Sequence, residues 1–209
     1  MNMKGNEIVI DEEFIIEYES KYDDPEIGGD EREYSELIKR VSYDVSQGNI
    51  SKSTFRCILN WKAARVKGYV KLDNFKGYED TFKQVIKMIK ENPDKYLETI
   101  IRDLDKLDGI GIPIASTIVH FISPKDFPIV DKRTVQVLQK ANYLDGSKKY
   151  YHYRDKIEGY KIFRREVLNI AKKYAGGDIR KVDRALFAYH KINSKTEVNQ
   201  TKSELCITT

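Results

Sequence analysis

The sequence predicts an all-α protein, and three observations carry that reading. Apolar residues recur at helical spacing through most of the chain. Gly and Pro punctuate those stretches where helices should end, and between residues 33 and 191 no convincing segment alternates with the two-residue period of a strand. The connections left between the helical stretches are mostly short, as in packed helical domains. A chain of 209 residues is long enough to bury a proper core.

Residues 1–32 read as an acidic N-terminal arm. Its apolar set Ile8, Val9, Ile10, Phe14, Ile15 and Ile16 predicts a short helix or strand, and Tyr22 to Asp30, with Asp-Asp-Pro and Gly-Gly, a turn or linker. Residues 1–36 hold 13 acidic and 3 basic side chains, net −10, against +14 for residues 37–209. The arm is expected to be solvated. The alternative is that it lies over the basic body and mimics the charge of DNA.

Residues 33–191 read as one helical domain. Glu33 to Gln47 carries Leu37, Ile38, Val41 and Val45 at helical spacing, and Gly48 ends it. Ser51 is an N-cap for a helix with Phe55, Ile58, Leu59 and Trp61 on its apolar face. A break follows over Gly68 to Gly77. Asp80 to Glu91 is amphipathic, with Phe82, Val85, Ile86 and Ile89 inward, and Asn92-Pro93 stops it. A helical hairpin occupies residues 95–123. Its second helix, Pro113 to Ile122, is nearly all apolar apart from Ser116, Thr117 and His120, so it belongs at the centre of the core.

Beyond the hairpin, Ser123 to Val130 is a connecting loop that delivers Asp131 to the start of a helix over Lys132 to Ala141. Asn142 to Asp155 reads as a polar, tyrosine-rich loop. Ile162 to Tyr174 is a basic amphipathic helix ended by Gly176-Gly177, and Asp178 caps Ile179 to His190. Residues 192–209 are polar and read as a loose tail.

The basic body suits a polyanion whose phosphates would be neutralised by Lys and Arg, although a lysine-rich surface also serves solubility alone. Two widely spaced cysteines, Cys57 and Cys206, argue against a disulfide framework and for a reducing interior. No run approaches the roughly 18 apolar residues of a membrane span, and the first residues lack a basic region followed by an apolar one. A cytoplasmic monomer with no membrane attachment and no metal site is expected.

The most specific stretch is Leu107-Asp108-Gly109-Ile110-Gly111-Ile112-Pro113-Ile114-Ala115, followed by Phe127-Pro128-Ile129-Val130-Asp131-Lys132-Arg133. Two helices meet across a Gly-x-Gly turn. The second starts with Pro, whose missing N–H has no helical partner anyway, and offers unpaired N–H groups and a positive dipole end to an anion. Gly-x-Gly by itself is equally compatible with a plain corner between helices.

With its flanks, this stretch resembles the helix-hairpin-helix (HhH-GPD) DNA glycosylase superfamily, which includes endonuclease III and the adenine mismatch glycosylases. The resemblance is best over Leu107 to Leu138 and weaker over about Ile50 to His190. It implies a two-lobed helical fold, DNA as partner, and a hairpin at Gly109, Ile110, Gly111 and Ile112 that clamps a phosphate, with a monovalent cation allowed there. It also implies that Asp131, 18 residues beyond Pro113, is the catalytic carboxylate. Members that also cut the strand carry a nucleophilic Lys where this chain has Pro113, so β-lyase chemistry through that position is excluded. The iron–sulfur cluster of several members needs four cysteines, and none is expected here.

The candidate residues each have an ordinary alternative. Asp131 is also a natural N-cap, which is compatible with catalysis. Next to Lys132 and Arg133 at a helix N-terminus it is expected to be ionised and able to stabilise an oxocarbenium sugar. Lys62, Arg65, Lys132 and Arg133 are phosphate-contact candidates or plain surface charge. Trp61, His120 and Tyr151 are candidates for a base pocket, because a flipped base needs flat walls. Trp61 and His120 equally suit the core, and Tyr151, among Tyr143, Tyr150, Tyr153, Lys148, Lys149 and Arg154, equally suits an anchored surface loop. The function expected is a monofunctional DNA N-glycosylase acting in base excision. A non-catalytic DNA-binding protein and a helical protein–protein interaction module are the alternatives.

Overall fold

The structure, a computed structural model, describes residues 8–28, 30–62, 70, 72 and 75–207, with side-chain surroundings up to residue 194. Among the described residues there are ten helices and no strand: α1 (Glu12–Glu19), α2 (Glu31–Ser46), α3 (Lys52–Lys62), α4 (Phe75–Glu91), α5 (Leu97–Asp105), α6 (Ile112–Ile122), α7 (Lys132–Lys140), α8 (Tyr150–Asp155), α9 (Ile157–Tyr174) and α10 (Ile179–Ile207). The all-α expectation holds. No helix among these residues is long and apolar enough to cross a membrane.

Short polar side chains start the helices where orphan N–H groups need acceptors. Asp11 accepts from the N–H of Phe14 at 2.8 Å, Asp30 from Glu33 at 2.8 Å, Ser51 from Thr54 at 3.3 Å and Asp178 from Arg180 at 2.8 Å. Gly48, with φ of +80°, ends the α2 segment in the left-handed region that costs glycine nothing.

Helix α6 is the centre of the core, with every residue from Ile114 to Phe121 buried. It packs against α2, α3, α5 and α8, while α10 packs against α1, α7 and α9. Around α6 the buried set includes Phe55, Phe82, Ile100, Ile101, Leu104, Val135, Leu138, Tyr160 and Phe163.

Four expectations are corrected. The N-terminal arm is not a solvated segment. Ile10, Phe14, Ile15, Tyr22 and Ile27 are buried, and α1 lies along α10 with Phe14 and Tyr18 both against the ring of Tyr189, at 5.2 and 5.0 Å between centroids. Helix α4 begins at Phe75, not Asp80, because Phe75 and Tyr78 pack on Phe55 and offset the cost of Gly77. The tyrosine-rich loop contains α8, seated by the buried Tyr153. Finally, α10 runs to Ile207, well beyond the end at His190 expected from the sequence; no Pro or Gly interrupts that stretch.

Candidate functional site

The site begins with the way Asp131 is delivered. The segment preceding it is held at nearly every residue by side chains from other elements. Arg164 on α9 donates to the carbonyl of Asp126 at 2.7 Å. Nδ1 of His120 on α6 lies 2.7 Å from the carbonyl of Phe127, and the hydroxyl of Tyr160 donates to that of Pro128 at 3.0 Å. The N–H of Val130 donates to Oγ of Ser116 at 3.2 Å, and Nζ of Lys62 on α3 donates to the Val130 carbonyl at 3.3 Å. An extended segment has no secondary-structure partner for its backbone groups, so buried polar side chains supply them. That explains why Ser116 and His120 are buried in an apolar helix: they face backbone partners inside the core, whereas Thr117 bonds within its own helix. Thr117 donates to the carbonyl of Pro113 at 2.7 Å.

Asp131 then caps α7. Its Oδ1 accepts from the N–H of Arg133 at 2.9 Å and lies 3.6 Å from the Arg133 guanidinium, and its side chain stays 29% exposed. It lines a cavity of about 270 Å³ together with Trp61 and Lys62 at the end of α3, Ile129 and Arg133, Arg180, Asp183 and Phe187 of α10, and Tyr22, Gly28, Asp30 and Glu33 from the α1–α2 region. Trp61 is half-buried, packs edge-on against Phe121 with 5.0 Å between centroids, and still borders the cavity.

The cavity floor is a buried charge network that sequence reasoning missed. The guanidinium of Arg180, 8% exposed, donates to Glu31 at 2.9 and 3.1 Å, to Asp183 at 2.5 Å and to the Tyr22 hydroxyl at 2.9 Å. It lies over the rings of Tyr34, Tyr22 and Trp61 at 4.2, 4.8 and 5.7 Å. Burial works against its charge, but Asp183, Tyr22 and Glu31 together outweigh that and push it further up, so it stays charged. Arg184 pairs with Glu19 and lies 3.6 Å from Glu31. Burial raises Asp183, and the nearby Asp131 charge adds to that, while Arg180 and Lys62 pull it down. An Arg and an Asp three apart on a helix look like a surface pair, so only the packing of α10 against the N-terminal region reveals them.

Four predicted residues therefore converge on one cavity: Asp131, Arg133, Lys62 and Trp61. His120 does not line it. Its ring is 1% exposed, spent on the Phe127 carbonyl and the Tyr34 hydroxyl, and burial lowers it to about 3. Tyr151 is 53% exposed on α8 and lies outside the lining, because its neighbour Tyr153 takes the inward position. Lys132 is exposed. Arg65 lies outside the described residues.

The hairpin forms a tight turn. Gly109 has φ of +77°, the Ile110 N–H donates to the Leu107 carbonyl at 2.9 Å, and the Tyr78 hydroxyl donates to the Asp108 carbonyl at 2.7 Å. Gly111 caps α6 in extended backbone, and Pro113 sits in the first turn. The N–H groups of Gly111 and Ile112 have no acceptor among the described residues, although the Ile110 and Ile112 side chains are themselves buried. Compared with protein-family models, curated proteins and solved structures, the chain gives no match.

Proposed function

We propose that the protein is a monofunctional DNA N-glycosylase-like enzyme of base excision, hydrolysing the N-glycosidic bond of a flipped damaged or mismatched base. The observation that carries this reading is the position of Asp131, a partly exposed carboxylate at a helix N-terminus, in one cavity with Trp61 and Lys62. At about 270 Å³ the cavity lies just below the usual range for drug-sized ligands and suits a single base. In this reading Asp131 faces the cationic sugar of the transition state and orients the attacking water. The indole of Trp61 gives the base a flat wall, and Lys62 and Arg133 hold phosphate or sugar oxygens at the rim. Gly109 to Ile112 turn two N–H groups toward a backbone phosphate. The chain carries Pro113 where a Schiff-base lysine would stand, so the reaction ends at an abasic site. We take the N- and C-terminal helices that meet around Arg180 as one lobe and the helices around α6 as the other.

The test is an abasic-site assay. Duplexes carrying uracil, thymine opposite guanine, 8-oxoguanine, adenine opposite 8-oxoguanine or alkylated purines are incubated with the protein and then treated with hot alkali. Cleavage after alkali alone is expected for at least one duplex. Asp131→Asn should slow base release by about 100-fold or more while leaving duplex affinity nearly intact. Full turnover by that variant refutes the role of Asp131. Salt-sensitive binding without product from any duplex favours the non-catalytic DNA-binding alternative.

A further inference from the structure

We propose that Asp183 is the general acid of this site, handing a proton to the departing base while Asp131 faces the sugar. The inference rests on the base-excision reading. Breaking a glycosidic bond to a neutral base is speeded by two things at once, a negative charge near the sugar and a proton for the leaving group. Paired carboxylates in different surroundings supply both.

Asp183 and Asp131 line the same cavity from different helices, α10 and α7. Their surroundings differ. Asp131 caps a helix and is 29% exposed, whereas Asp183 is 16% exposed and belongs to the cluster beneath the cavity. In that cluster Glu19, Glu31 and Asp183 share the guanidinium groups of Arg180 and Arg184, with every side chain no more than 25% exposed. Within the directly paired cluster three carboxylates meet two guanidiniums, and a proton retained on one acid balances it, with Lys62 the further cation acting on Asp183. Of the three acids, only Asp183 borders the cavity. The other charged or titratable groups facing the space are Tyr22, Asp30 and Glu33, Lys62 on α3, and Arg133 beside Asp131. Burial raises Asp183 against the pull of Arg180 and Lys62, and Asp131 adds to the rise.

In the step that follows, the bond from C1′ to the base nitrogen breaks with its electron pair going to the base. The proton on Asp183 passes to a base nitrogen. Water adds its oxygen to C1′, and the proton it releases leaves through Asp131 to solvent, from which Asp183 is reprotonated.

The experiment compares single-turnover base release against pH for the wild type, Asp183→Asn and Asp183→Glu on the five kinds of duplex named above, with duplex affinity and thermal melting measured alongside. Wild-type release should fall on the alkaline side as the acid loses its proton. Asp183→Asn should slow release by about 100-fold or more, lose that alkaline fall and keep duplex affinity within a few-fold, and Asp183→Glu should recover part of the rate. Release by Asp183→Asn within a few-fold of wild type and with the same pH profile overturns the inference and leaves the base-excision reading standing. So does an Asp183→Glu protein as slow as Asp183→Asn, since that marks a structural partner of Arg180. Wild-type protein that releases no base from any duplex removes the base-excision reading and this inference with it.

Discussion

The hydroxyl of Tyr34 on α2 lies 2.8 Å from Nε2 of His120 on α6, 86 positions away in sequence. Because Nδ1 of the same ring faces the Phe127 carbonyl, which can only accept, the neutral ring carries its proton on Nδ1 and receives the tyrosine hydrogen at Nε2. Tyr34→Phe leaves a buried acceptor without a donor. It should cost about 1–3 kcal/mol in urea denaturation with an unchanged slope; a cost near zero would mean that the hydroxyl holds nothing.

The same ring makes stability depend on pH. His120 is pushed down by burial first, with the cations Arg180 and Lys62 adding to it and the Phe127 carbonyl opposing, to about 3 from 6.5. Between those values the unfolded chain binds one proton more than the folded one. The contribution is therefore fully present above pH 6.5 and is lost as pH falls, by about 1.4 kcal/mol per pH unit. Denaturation curves between pH 7 and 4.5 should show that loss, and His120→Gln should lack this part of it. Identical acid sensitivity in the two proteins would contradict the assignment.

Arg180→Met is expected to be among the most damaging single changes outside the apolar core. It strands Glu31, 25% exposed, without its principal cation and removes the hydrogen bond to Asp183, at a cost of about 3–5 kcal/mol. Adding Glu31→Gln should recover part of the loss, measured as a coupling in a double-mutant cycle. Strict additivity would show that the two side chains do not act as a unit.

Phe14→Ala tests whether the N-terminal acidic region is structural. Phe14 is 7% exposed between Tyr18 and Tyr189, so truncation should cost about 3–5 kcal/mol. A solvated arm would give almost no change in melting temperature.

Gly109→Ala probes the hairpin. The backbone there has φ of +77°, where a side chain costs roughly 1–2 kcal/mol. If the turn meets a DNA phosphate, the variant should bind duplex more weakly across all salt concentrations, and filter-binding titrations from low to moderate salt check this. Unchanged affinity would detach the hairpin from DNA binding.

Much of the architecture is legible without coordinates. Leu37 and Val41, Phe82 with Val85 and Ile86, and Ile100 with Ile101 and Leu104 announce their helices by spacing alone, and the apolar run from Ile114 to Phe121 announces the core. Asp131, Ser51 and Asp178 are readable as caps because capping is local chemistry. The N-terminal region misleads because its 13 acidic side chains outweigh, in any charge count, the stripe of Ile10, Phe14 and Ile15 that binds it to α10.

By itself, the sequence determined most of the segments that become helices, the starts of α3, α7 and α10, and which carboxylate caps α7, since each depends on neighbours within a few positions. Only the tertiary structure decided that α1 and the start of α2 close over α10. It also decided that Trp61, Lys62, Asp131 and Asp183 border one cavity, and that His120 locks the segment before Asp131 and does not serve the cavity. The physical reason is range. Periodicity and capping act within a turn or two of helix. The burial of Arg180 and the charge balance around Asp183 depend on groups distant in sequence, Arg180 and Tyr22 by 158 positions, brought together only by packing.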